Sequence, residues 1–208
     1  MMDTDFYLVE YQGGTDGCPV FLNGDESNDW EWDIYDPDPW GFSIENSYEF
    51  RSSDRGLKEL ELDYAGSPHR FVSEEFLRVC DDLNVIYRAV PVTVFLASGI
   101  TSRKKYYYFL AAQWASLVDD EKSTCALEQN LTGGSPGCKY YGNVKRYAWI
   151  SNLIVRENIG LDLFWCAEFM QHTCSKRFAE VAMTANLKGL KFIPLDSSFK
   201  YDPWGDLV

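Results

Sequence analysis

Two stretches of the chain carry the same helical pattern, and this repetition constrains the fold more than any other feature. They read VSEEFLRVCDDLNVIYRAVPV from residue 72 and CSKRFAEVAMTANLKGLKFIPL from residue 174. A shift of 102 residues superimposes Ser73 on Ser175, Phe76 on Phe178 and Asn84 on Asn186. In each copy, apolar residues recur at i, i+3, i+4 and i+7 behind a serine typical of a helix N-cap. The pattern predicts two equivalent amphipathic helices, over residues 73–84 and 175–186.

An alternating apolar pattern, typical of a strand, precedes each predicted helix and another follows it. The upstream patterns comprise Leu60, Leu62 and Tyr64 in the first copy and Leu161, Leu163 and Trp165 in the second. The downstream patterns cover residues 87–96 and 191–199. Each copy therefore predicts a strand-helix-strand unit, with chance similarity between ordinary amphipathic helices as the alternative to duplication. We expect an α+β fold with a mixed or antiparallel sheet.

The length of 208 residues favours one domain. We expect residues 51–208 to form an α+β body, with residues 51–118 as its first half and residues 148–208 as its second. Residues 119–147 are predicted to be a connecting loop because they contain Gly133, Gly134, Pro136 and Gly137. Within the first half, residues 105–118 read KYYYFLAAQWASLV, which predicts a long strand or hairpin.

The first fifty residues account for the whole net charge of −13. They hold thirteen acids and no Lys, Arg or His, and the other 158 residues hold 19 acids and 19 bases. Charge alone would predict a disordered tail. However, residues 29–40 read DWEWDIYDPDPW, in which aromatic rings alternate with the acids. Because rings can pack while carboxylates stay solvated, we expect residues 1–50 to be ordered and packed on the body.

This acidic aromatic run is the best candidate for a binding surface. Its carboxylates suit a basic partner, and its tryptophans suit the buried anchors that dominate protein interfaces. The alternative is that the tryptophans only hold the run against the protein's own sheet and leave the acids as a solubilising surface. The candidate residues are Asp29, Trp30, Glu31, Trp32, Asp33, Asp36, Asp38 and Trp40.

The acidity also argues against direct binding to nucleic acid or to an anionic membrane, because both require clustered Lys and Arg. The chain begins without a basic, apolar leader and has no run of 18 apolar residues without a charge. We therefore expect a soluble, cytoplasmic protein.

Recognisable catalytic and cofactor-binding motifs are missing from the sequence. It has two histidines, His69 and His172, and no G-x-S-x-G, P-loop or dinucleotide-binding pattern. The acidic run resembles a calcium loop in its alternation, but Ile34 stands where that loop needs Gly, and Trp40 where it needs Glu. We therefore expect a protein that is not an enzyme and binds no cofactor or calcium.

The six cysteines do not form a metal-binding pattern. Cys80 lies on the apolar stripe of the first helix, which predicts a buried free thiol. Cys166, His172 and Cys174 are close in sequence, but zinc would need a fourth ligand from elsewhere. Cys125 and Cys138 could pair in an oxidising compartment, and in the cytoplasm we expect them to be reduced.

The order of motifs along the chain resembles a known family. An opening FYLV and the acidic Trp-containing run are followed by RGLKELELDY, FVSEEFLRVCDDLNVIYRAVPV, KKYYYFLAAQWASLVDDEKS and NLKGLKFIPLD. Together they resemble bacterial immunity family eleven, whose genes lie beside polymorphic toxin genes. The resemblance implies an immunity protein that neutralises a cognate toxin. A small hydrolase or transferase using carboxylates of the acidic run is the main alternative, and a non-enzymatic assembly scaffold is another.

Overall fold

The computed structural model describes residues 4–15, 17–67, 69–128, 139–203 and 205. The elements are β1 (Phe6–Tyr11), β2 (Gly24–Glu26), β3 (Tyr48–Ser52), β4 (Tyr64–Ala65), β5 (Phe71–Ser73), α1 (Glu74–Asp82), β6 (Tyr87–Phe95), β7 (Tyr106–Ala111), β8 (Trp114–Ala115), β9 (Thr124–Leu127), β10 (Tyr147–Asn152), β11 (Leu163–Cys166), β12 (Gln171–Ser175), α2 (Lys176–Thr184) and β13 (Leu190–Pro194).

The described strands form two mixed sheets and an antiparallel ribbon of β9 and β10. One sheet has the strand order β13-β1-β12-β11-β8 and the other β2-β3-β6-β7-β5-β4. The predicted α+β class is confirmed.

Both predicted helices are confirmed, and they begin and end in the same way. The Ser73 and Ser175 side chains accept a hydrogen bond from the backbone N–H three residues later, each at 3.1 Å. Beyond the other end, Asn84 and Asn186 adopt φ values of 55° and 56°, the left-handed conformation that Asn tolerates better than most residues. Because the last two residues of each predicted range form the turn after the helix, the regular helices end at Asp82 and Thr184.

The structural repeat is larger than the predicted strand-helix-strand unit. The first copy contains the β4-β5 hairpin, α1, β6 and β7, and the second contains the β11-β12 hairpin, α2, β13 and β1. The fourth strand of the second copy therefore comes from the N-terminus. Pro91 lies opposite Tyr107 in the first copy, and Pro194 lies opposite Tyr7 in the second.

The predicted strands upstream of the helices are wrong in part. Leu60 and Leu62 are buried but lie outside any strand, and the first upstream strand is only Tyr64–Ala65. Tyr64 pairs with Val72, and Leu163 holds the equivalent place opposite Cys174. The alternating patterns instead put Tyr64 and Trp165 at the same place, the third apolar position of each copy. Alternation specifies two faces of a strand but leaves its partner and register open, which explains the error.

The boundary predicted at residue 50 does not separate two structural parts. Strand β1 lies between β12 and β13 in one sheet, and β3 crosses the boundary and pairs in parallel with β6 in the other. The predicted strand or hairpin over residues 105–118 is two short strands, β7 and β8, in different sheets. The predicted loop over residues 119–147 contains β9, and its Gly133, Gly134, Pro136 and Gly137 lie outside the described residues.

The main core lies where the two helices meet. The fully buried rings of Phe76 and Phe178 contact each other edge to face, with centroids 5.7 Å apart. Residues from both sheets, including Val9 of β1 and Phe109 of β7, surround this pair. The two copies therefore share one core and stabilise each other. Neither helix in the described part of the chain is long and apolar enough to cross a bilayer.

Candidate functional site

The acidic segment (residues 29–40) packs on the sheet that contains β3, β6 and β7. Trp30 and Trp32 stack on each other with centroids 5.6 Å apart, and Trp32 is only 8% exposed. The Trp32 ring also contacts Tyr48 at 5.2 Å and Tyr108 at 5.4 Å. Because these contacts occupy both indoles within the protein, Trp30 and Trp32 hold the segment in place, as the alternative interpretation predicted.

Glu31 also serves the protein's own structure. Its carboxylate accepts hydrogen bonds from the backbone N–H groups of Glu45 and Asn46 at 3.1 Å and from the Tyr48 hydroxyl at 2.8 Å. The Asn46 N–H is the main cause that lowers the pKa of Glu31. The charged carboxylate therefore stabilises the loop that leads into β3 by accepting its backbone hydrogen bonds.

Asp33 joins the acidic segment to a later part of the chain. Its carboxylate accepts hydrogen bonds from the Tyr35 backbone N–H at 3.0 Å, the Lys139 ammonium at 3.3 Å and the Tyr140 hydroxyl at 3.1 Å. Burial alone would raise the pKa of Asp33, but these donors outweigh it and lower the pKa. The charge of Asp33 is thus already compensated within the chain.

Asp36 and Asp38 shape the exposed end of the segment. The Asp36 carboxylate accepts from the Asp38 N–H at 2.9 Å, and the Asp38 carboxylate accepts from the Trp40 N–H at 3.0 Å. These consecutive turns leave the Trp40 side chain 56% exposed. Within the described residues, no base lies within the 4.0 Å ion-pair distance of Asp36, Asp38 or the exposed Asp29. These three carboxylates remain available to a partner.

A second exposed tryptophan, Trp114, was missed by the sequence interpretation. It falls within the long strand or hairpin predicted over residues 105–118, but β7 ends at Ala111 and Trp114 is 42% exposed in the edge strand β8. The Trp114 and Tyr141 ring centroids lie 5.1 Å apart. Burial raises the pKa of Tyr141, and the negative charge of Asp36 raises it further. The change from buried Tyr and Phe to Ala-Ala-Gln before Trp114 was the available signal that the buried strand had ended.

Hydrogen bonds from Arg88 of β6, and from Ile86 just before it, connect the loop of Trp40 with the residue next to Trp114. Arg88 donates to the backbone oxygens of Pro39 and Phe42, at 2.7 and 2.9 Å, and so fixes the loop that carries Trp40. Two residues earlier, Ile86 is exposed and its N–H donates to the Gln113 side chain, next to Trp114. We call the surface formed by Asp36, Asp38, Trp40, Ile86 and Trp114, with the buried Tyr141 packed against Trp114, the acidic face.

Beneath the acidic segment lies a cavity of about 30 Å³. It is lined by residues of the segment and of both sheets, including Tyr108, Arg70, Trp165 and His172. Pockets that hold small molecules are typically about 300 Å³ or larger. This cavity is therefore too small to hold a substrate.

The predicted cysteine environments are partly observed. Cys80 is buried in α1 as predicted, and burial raises the pKa of its thiol. Cys166, His172 and Cys174 are buried as well, but no three His, Cys, Asp or Glu side chains converge anywhere in the described ranges. Cys138 lies outside these ranges, so its pairing with Cys125 stays a prediction.

In comparisons with known proteins, no family model matches the chain and no curated protein is significantly similar to it. The similarity to immunity family eleven therefore stays a prediction from the motifs.

Proposed function

We propose that this chain is an immunity protein that binds a cognate toxin through the acidic face and neutralises it in the cytoplasm of the producing cell. The observation that carries the proposal is the exposure of Trp40 beside two carboxylates, those of Asp36 and Asp38, that have no base within ion-pair distance among the described residues. The order of motifs, which resembles immunity family eleven, supports the same function.

The physical argument concerns the partner's charge. A toxin domain that acts on nucleic acid or a nucleotide needs a basic cleft, and an acidic surface is complementary to it. Such complementarity can raise association rates to about 10⁸ M⁻¹s⁻¹ or more. Trp40 and Trp114 supply the large, rigid rings that become buried at the centre of tight interfaces. The partner is thus expected to be a protein with a basic surface or cleft.

Neutralising the three carboxylates of the acidic segment that have no described base nearby, of which Asp36 and Asp38 belong to the acidic face, tests the electrostatic part of this proposal. We expect Asp29→Asn, Asp36→Asn and Asp38→Asn together to slow association with the toxin encoded beside the gene by about tenfold or more. The difference should shrink at about 1 M salt, where the Debye length is about 3 Å. Glu31 and Asp33 are left unchanged because they support the fold. Stopped-flow kinetics across a salt series provides the measurement.

A matched control removes the same charge elsewhere. Glu121, Glu157 and Glu180 are exposed, and changing all three to Gln should alter association far less. If the triple Asp variant folds, associates at the rate of the control variant and still protects cells from the toxin, the interface lies on another surface.

The aromatic part of the interface is tested by dissociation. Trp40→Ala should accelerate dissociation and weaken the complex by about 2 kcal/mol, because a buried anchor is lost. Phe21→Ala, which removes a ring that is 74% exposed outside the acidic face, is the matched control. Equal dissociation rates for these two variants would exclude Trp40 as an anchor.

A further inference from the structure

The turns of the two equivalent hairpins border a groove of about 330 Å³. The β4-β5 turn contributes Gly66, Ser67 and Arg70, the β11-β12 turn contributes Met170, and Gln171 at the start of β12 follows it. Arg70 and Met170 have φ values of 54° and 52°, a left-handed conformation that is uncommon for residues other than Gly, Asn and Asp. Strained residues of this kind concentrate at functional sites, and here one stands on each side of the groove.

Arg70 brings an uncompensated positive charge to the groove wall. Its guanidinium lies 4.9 Å from the Trp165 ring centroid and 5.6 Å from that of Tyr35, and it donates to the Ile34 carbonyl at 3.3 Å. No ion pair joins it to a carboxylate in the described part of the chain. Burial lowers the pKa of this guanidinium. Buried charges are normally paired, but none of the described carboxylates forms an ion pair with Arg70.

Two further polar side chains, Trp165 and His172, line the groove wall. Trp165 is only 7% exposed, and its indole N–H has no acceptor among the described residues. His172 is neutral at physiological pH because burial lowers its pKa to about 3. Its Nδ1 lies 3.0 Å from the Tyr64 hydroxyl, so this ring nitrogen already has a hydrogen-bond partner within the chain. The groove therefore combines one cation with a neutral indole donor.

The remaining wall is mainly aromatic and aliphatic. Val9, Tyr11, Tyr64 and Met170 contribute to it. The one carboxylate that lines the groove, that of Glu10, lies 3.7 Å from the Lys191 ammonium, which offsets its charge. A volume of about 330 Å³ is at the lower end of the range for small-molecule pockets.

We propose that this groove binds a small molecule in which a carboxylate or phosphate is attached to a flat ring. The guanidinium fork of Arg70 would hold two anionic oxygens side by side, and the ring would lie among the aromatic walls. Carboxylates and phosphates share this recognition chemistry. None of the residues that line the groove belongs to the acidic face, although Arg70 also contacts Ile34 and Tyr35 of the acidic segment.

Titration calorimetry with four probes tests the proposal on the full chain. Adenosine monophosphate and indole-3-acetate carry the two anions, and adenosine and indole-3-acetamide are their uncharged counterparts. We expect one of the anionic probes to bind with a Kd below about 1 mM and its neutral counterpart to bind at least about tenfold more weakly. The anionic probe that binds identifies phosphate or carboxylate as the ligand class.

Two variants locate the binding in the groove. Arg70→Gln should weaken it by about tenfold or more, because a charge-assisted hydrogen bond is lost. Arg70 also donates a hydrogen bond to the Ile34 carbonyl, so its loss could disturb the acidic segment as well. A second variant, Gln171→Trp, therefore fills the groove from an exposed position and should cause the same loss of binding. Arg51→Gln is the matched control, since Arg51 also stacks on a ring, at 4.2 Å from Phe95, but lies outside the groove. The proposal is overturned if no probe binds, if neutral probes bind equally, or if Gln171→Trp binds like the wild type.

Discussion

Neighbouring residues of one acidic run have different roles at the residue scale. Glu31 and Asp33 accept hydrogen bonds from distant parts of the chain, whereas Asp36 and Asp38 accept from backbone N–H groups two residues later and have no described base within ion-pair distance. Similarly, Trp32 is buried while Trp40 is exposed. Residue type alone therefore does not show which side chains of the run support the fold, and the contacts of each side chain do.

His172 provides a residue-scale prediction for stability against pH. Its pKa of about 3 in the folded protein lies below its ordinary value of 6.5, so between these pH values the unfolded chain binds one more proton. Stability should therefore fall as the pH falls below 6.5, by about 1.4 kcal/mol per pH unit from this group. Urea unfolding of the wild type and His172→Gln between about pH 6.5 and 5, above the usual carboxyl pKa values, should show this slope in the wild type only.

The other histidine is the control for that measurement. His69 is half-buried beside Glu26, and His69→Gln should retain the pH slope that depends on His172. An unchanged slope in His172→Gln would mean that this ring is protonated in the folded protein.

At the scale of elements, α1 and α2 depend on each other. Phe76 and Phe178 occupy equivalent positions, are fully buried and contact one another. Either Phe→Ala change should cost about 3 to 5 kcal/mol of unfolding free energy, and the double variant should deviate from the sum because the two sites share a contact. Chemical denaturation measures these costs.

Met183→Ala, at a half-exposed position of α2, is the control and should change the free energy of unfolding by less than about 1 kcal/mol. Similar costs at all three sites would contradict the conclusion that the contact between Phe76 and Phe178 stabilises the two helices.

At the scale of the whole molecule, the first fifty residues cannot be separated from the body. A chain that begins at residue 51 would lack β1 and most of β3, which removes the strand between β12 and β13 and the parallel partner of β6. We expect this chain to lose cooperative thermal unfolding, followed by circular dichroism. A chain that lacks only residues 1–3 retains every described strand and should unfold cooperatively. Cooperative unfolding of the shorter chain would restore the boundary predicted from the sequence.

The sequence by itself determined the two helices, their caps and the faces that they bury, because the serine cap, the helical spacing and the Asn stop are local properties. It also predicted the α+β class and that the acidic run would pack through its rings. Only the tertiary structure decided that β1 completes the second copy of the repeat, that Trp30 and Trp32 face inward, and that Trp114 and Arg70 reach the surface and the groove. These features depend on contacts between residues far apart in the chain, and neither alternation nor composition specifies the partner of a strand or the direction of a ring in an irregular segment.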